Sequence, residues 1–144
     1  MLGSLPPFVP FFVGALAVAF TKGLPRKVIL LAVPILGGLN LLLGLEHDVQ
    51  LQEFLGGYTL TLLRVDKLSL LFGYLFHIAA FLGFLYALHL GDGDVDGAVG
   101  DGDQTGGDRA GLQHVSAMLY AGSALGAVFA GDFITLFVFW ELLA

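Results

Sequence analysis

The sequence predicts an all-α fold, a polytopic membrane helical bundle of four full spans and a truncated fifth, with a short β-hairpin on the outer side. Three observations carry this. Hydrophobic residues make up 57% of the chain and charged residues 12%, against about 45–50% and about 25% in an ordinary soluble domain. One core in a chain this size cannot hide that much apolar surface, whereas lipid can. Four apolar runs come close to the roughly 20 residues that carry a helix across about 30 Å of hydrocarbon. Finally, six of the twelve acidic residues fall between Asp92 and Asp108, so the net charge of −6 belongs to one loop.

The first run is Leu2 to Phe20, with Pro6, Pro7 and Pro10 crowding its entrance, where a missing N–H costs least. The second is Val28 to Leu45, with Pro34 inside it as a kink site. The third, Leu68 to Leu90, is the longest, and the fourth, Leu112 to Ala130, is rich in alanine and glycine. A fifth apolar stretch opens at Phe133 and stops at Ala144. At 1.5 Å per residue it reaches only about 18 Å, so it reads as an interrupted span.

The organisation is then two spans in 1–45, an extracytoplasmic loop in 46–67, the third span in 68–90, an acidic Asp/Gly-rich cytoplasmic loop in 91–111, and the fourth and truncated fifth spans in 112–144. Lys22, Arg26 and Lys27 place the first connection in the cytoplasm by the positive-inside rule, which puts the N-terminus outside; Arg64 and Lys67 oppose that bias. The N-terminal run has no basic n-region and no cleavage site, which marks a retained span of a multi-pass plasma-membrane protein rather than a signal peptide. Gly56-Gly57 between stretches of apolar–polar alternation signals the hairpin.

Several function classes drop out. Without cysteine there are no disulfides, thiolate metal sites or cysteine nucleophiles. Without a basic patch nucleic-acid binding has no support. No cofactor motif is present, and no nucleophile or metal signature points to a soluble enzyme.

Glu141 is the residue that demands explanation, because it stands in Phe137-Val138-Phe139-Trp140-Glu141-Leu142-Leu143 with no basic neighbour. Counted from Asp132 at the outer edge it lies about 13.5 Å along a helix, near the middle of a roughly 30 Å hydrocarbon layer. A carboxylate at that depth is protonated or paired, and membrane proton relays use carboxylates in this setting. The alternative is a frayed end from which Glu141 reaches water. His77, midway along the third span, is either a proton shuttle or a helix-packing element. Asp132 is a secondary candidate at the outer edge of the fifth segment. His89 and His114 sit at span ends, as interfacial residues do. Gly122 and Gly126 form a small-xxx-small pair that suits close helix approach, either within the chain, against the fifth segment, or between two copies. In the acidic loop, Asp92, Asp94, Asp96, Gly97 and Asp103 follow part of a calcium-loop pattern, with aspartate replacing the usual glutamate at the last position. An Asp/Gly linker with no ligand matches the same residues.

Several segments resemble a known family: Val65-Asp66-Lys67-Leu68-Ser69-Leu70-Leu71-Phe72-Gly73-Tyr74, Leu85 to His89, Gln113 to Val115, Leu119 to Gly122, and above all Phe129-Ala130-Gly131-Asp132 running on to Phe139-Trp140-Glu141. They are similar to the antiporter-like membrane subunits shared by Mrp-type cation/proton antiporters, respiratory complex I and membrane-bound hydrogenases. The D subunit of Mrp-type sodium/proton antiporters is the nearest in look. The resemblance implies two inverted five-helix repeats, each holding a proton half-channel. It also implies a fifth-helix glutamate, matched by Glu141, that pairs with a lysine on the seventh helix. That lysine and the second repeat have no counterpart in these residues, and the acidic loop reads as an insertion. The expectation is therefore a truncated or split antiporter subunit. It would move protons and sodium only together with lipid, other complex subunits, or a chain that completes the missing helices. Its open face would be the fifth segment and the Gly122/Gly126 side. The alternatives are a non-functional gene remnant and a structural membrane subunit of a redox-driven proton pump.

Overall fold

The computed structural model describes residues 5–43, 49–54, 58–93 and 105–144. Helix dominates them. In chain order the elements are α1 (Val9–Phe20), α2 (Leu24–Leu42), β1 (Val49–Phe54), β2 (Tyr58–Leu63), α3 (Lys67–Gly93), α4 (Thr105–Phe129) and α5 (Phe133–Leu143).

Proline sets where the first two helices start. Pro10 occupies the second position of α1 and Pro25 the second position of α2, where the absent N–H has no intrahelical partner to lose. Residues Leu5–Phe8 are not helical, so the first span is shorter than its hydropathy implied, and at 1.5 Å per residue α1 is only about 18 Å long. The second helix starts earlier than expected, at Leu24. Pro34 lies inside α2 and leaves the Leu30 carbonyl without its helical donor. Among the described residues two helices are long and apolar enough to cross a membrane, Leu24–Leu42 and Lys67–His89. Of the other two expected spans, α1 is apolar but short, while α4 is long but carries Gln113, His114, Ser116 and Ser123.

Helices α1 to α4 close a ring. α1 packs on α2 and α4, α2 on α3, and α3 on α4. Phe11, Ala15 and Val18 of α1, Leu30, Val33 and Leu41 of α2, Phe84 of α3, and Met118, Leu125 and Phe129 of α4 form the core, joined by Leu63 of β2. α5 lies outside the ring against α4 and also touches β2. The expected hairpin is present: β1 and β2 pair antiparallel, with Gln50 opposite Thr61 and Leu51 opposite Leu60.

The Gly122/Gly126 pair serves contacts inside the chain. A Cβ at Gly126 would collide with the Phe139 ring of α5, and one at Gly122 would lie 3.0 Å from Phe11 Cβ of α1. Both glycines are buried, which corrects the expectation that their side of α4 stands open. What stands open is apolar. Leu71, Leu75, Ile78 and Leu82 make an exposed stripe on α3, and only 17% of that helix's apolar window is buried.

Candidate functional site

α5 starts where it does because of Asp132. This residue is in extended backbone (φ −144°, ψ 164°), and its Oδ1 accepts the Thr135 N–H at 2.7 Å, an aspartate N-cap that satisfies one of the free donors of the first turn. Its Oδ2 accepts the Thr135 hydroxyl at 3.0 Å and the backbone N–H of Thr61 in β2 at 2.6 Å. Two backbone bonds flank this contact: Gly131 N–H donates to the Thr61 carbonyl at 2.9 Å, and Arg64 N–H donates to the Phe129 carbonyl at 2.8 Å. The α4–α5 turn therefore lies along β2 as a short third strand would. A side chain at Gly131 would collide with Thr61. Burial pushes the Asp132 carboxyl up, but the bonds it accepts from Thr135 and Thr61 outweigh this and hold it below the ordinary aspartate range.

Further along α5, Thr135 and Phe139 are the buried residues. Phe139 fills the space beside Gly126 and meets the Phe8 ring at a centroid distance of 4.9 Å. Glu141 comes two residues after Phe139, about 200° round the helix. It is exposed on the side away from α4, in line with Ile134, Phe137 and Val138. Among the described residues it has no hydrogen-bond or ion-pair partner.

The second candidate, His77, is 4% exposed. Its Nδ1 lies 2.7 Å from the Gly73 carbonyl, so Nδ1 carries the hydrogen and donates it. The ring sits edge-on to Phe11 at 5.4 Å and against Gly37, while Nε2 is buried with no hydrogen-bond partner. On its outer side the same helix pair forms a groove of about 350 Å³ lined by Pro34, Gly38, Leu39, Tyr74, His77 and Phe81. Among the described residues no second polar atom lies within hydrogen-bond reach of Nε2.

The structure does not bring the three candidates together. His77 is in the interior of the helix ring, Asp132 is at the hairpin, and Glu141 is on the outer face of α5. Of the calcium-loop residues, Asp94, Asp96 and Asp103 lie outside the described residues, and Asp92 falls at the end of α3, which runs on to Gly93. Among the described residues no three histidine, aspartate or glutamate side chains group to hold a metal. Sequence reasoning missed Thr61 as the partner of both Asp132 and Gly131. The Asp-x-x-Thr spacing announces the cap, but no local signal links Asp132 to a strand 71 residues earlier. No protein-family model, curated protein or solved structure matches this chain.

Proposed function

We propose that the chain is a membrane-embedded subunit, or part of one, of a multisubunit monovalent cation/proton antiporter, with Glu141 as the carboxylate of its proton path and protons and sodium as the ions moved. The observation that carries this is the setting of Glu141: a lone carboxylate on the uncovered, otherwise apolar face of α5. In lipid such a group needs a partner or a proton, so this face suits contact with another helix of a complex. The membrane reading draws support from the exposed apolar residues on several helices, among them Val13, Leu16 and Phe20 on α1, Leu36 and Leu39 on α2, and Phe137 and Trp140 on α5. A soluble monomer seldom leaves so large an apolar surface uncovered. The resemblance of Phe129 to Glu141 to the antiporter-like subunits supplies the activity.

The test has two parts. The tagged chain should resist carbonate washing of membranes and should leave them in detergent together with other polytopic subunits. In everted vesicles carrying the complex, sodium should collapse a preformed pH gradient. Glu141→Gln should abolish that response, and Glu141→Asp should keep part of it. Recovery of the chain in the carbonate wash, or wild-type exchange in Glu141→Gln, would overturn the proposal.

A further inference from the structure

α5, with 11 residues, is the shortest of the described helices. It packs on α4 and touches β2, and it has no part in the ring formed by α1 to α4. Two of its attachments matter here. One is Phe139 in the gap beside Gly126. The other is Asp132, which does two separable jobs with two oxygens: Oδ1 caps α5 through Thr135, and Oδ2 accepts the Thr61 N–H of the hairpin. A cap alone needs only the first of these. The second, together with the Gly131–Thr61 and Phe129–Arg64 backbone bonds, ties the start of α5 to β2.

We infer that Asp132 is a positioning residue that couples the placement of α5, and with it Glu141, to the outer hairpin. The contact is selective for a carboxylate. Asparagine caps a helix about as well as aspartate, but with one end of its amide accepting from Thr135 the other end is an NH2 group, which cannot accept the Thr61 N–H. Asp132→Asn therefore keeps the cap and removes the side-chain bond of the tie, leaving only the two backbone bonds. Gly131→Ala breaks the tie in a different way, by forcing the turn away from Thr61 while Asp132 stays intact. A hairpin displaced by a neighbouring subunit would move the start of α5 with it, because Thr61 grips the α4–α5 turn through both its N–H and its carbonyl. The effect on ion exchange rests on the transport reading of Glu141; the mechanical coupling does not.

The chain has no cysteine, so a pair of spin labels can be placed without background. Thr59 on β2 and Phe137 on α5 are both exposed. In the full-length chain in detergent or nanodiscs, labels at Thr59→Cys and Phe137→Cys should give one narrow distance distribution. Asp132→Asn and Gly131→Ala should each broaden it at unchanged helix content by circular dichroism. Asp132→Ser, which caps but is too short to reach Thr61, should behave like Asp132→Asn. A distribution in Asp132→Asn and Asp132→Ser that matches the parent would overturn the coupling, and so would a parent distribution as broad as theirs. If Gly131→Ala fails to fold, the two Asp132 variants decide alone. In vesicles carrying the complex, Asp132→Asn should lower maximal sodium-driven exchange several-fold with the half-saturating sodium concentration unchanged. Full exchange in Glu141→Gln would remove the transport reading and leave the distance result to stand or fall by itself.

Discussion

Gly37 and His77 are in such close contact that one carbon added at Gly37 would lie 2.5 Å from the imidazole Nε2. In lipid, where burying apolar surface between helices gains little, helices hold together by close van der Waals approach through small residues. The α2–α3 contact is built in this way, with the ring of one helix lying on the glycine of the other. Gly37→Ala should displace the ring and cost about 1–3 kcal/mol, the usual range for overfilling a close-packed interior. Thermal unfolding in detergent, followed by circular dichroism, measures this. His77→Leu should also lower the unfolding midpoint, because the bond to the Gly73 carbonyl is lost. It should leave the pH profile of exchange in the complex where it was. A shifted pH optimum would mean that His77 carries protons after all.

Trp140 is the only tryptophan and precedes Glu141 directly, so its fluorescence reports on the depth of the candidate carboxylate. In vesicles of brominated lipid, quenching should be strongest with bromines deep in the acyl chains, in keeping with a position near the midplane. Quenching confined to shallow bromines would place Glu141 at the water interface and remove its proton-path setting. Gly126→Leu should evict Phe139 and shift the Trp140 emission, since the ring has no room beside a larger residue.

The isolated chain, reconstituted alone, should give no sodium-dependent proton flux. Glu141 has no cation beside it among the described residues, so these residues offer its proton no charged partner to exchange with. Measurable exchange by the lone chain would show that a second chain is not needed.

Protonation should loosen the hairpin contact. The folded-state value of Asp132 is held below the ordinary one, so its stabilising contribution is complete above the unfolded aspartate value of about 3.9 and is lost as pH falls through the lower folded value. The stability difference between the wild type and Asp132→Asn should therefore be widest near neutral pH and close below about pH 4. Asp66 also lies below the ordinary range, chiefly through the Ser69 N–H that it accepts at 2.7 Å. Asp66→Asn is thus a fair control for the general effect of acid. Asp132→Ala, which removes the cap as well, should cost about 1 kcal/mol more than a neutral surface change.

Features written in neighbouring residues were legible before the structure. The hairpin showed in Gly56-Gly57 and its flanking alternation, and the close approach of α4 to another element showed in Gly122 and Gly126. Helix limits were less so. Hydropathy reports where a chain can enter lipid, whereas helix ends follow backbone hydrogen bonding. Helix formation accordingly runs past the apolar segment at Gly93 and begins before it at Thr105. At the other extreme, the proline-rich entrance holds off helix until Val9. Two relationships had no local trace. The Thr61–Asp132 bond joins a backbone N–H, which any residue offers, to a side chain far along the chain, and the Gly37–His77 contact depends on how two separate helices face each other. Glu141 was visible as a charge among apolar residues, but its direction was not, because that depends on Phe139 taking the α4 side.

The hairpin–turn contact also has a consequence for the order of events during synthesis. Chains emerge from the ribosome N-terminal end first, so Thr61 is in place long before Asp132 exists. In a membrane, the two can meet only if α4 has been threaded with its C-terminal end on the same side as the hairpin. A chain that inserts α4 the wrong way round would leave Asp132 on the opposite face and Thr61 unengaged. The contact thus rewards insertion of α4 with its C-terminal end on the hairpin's side.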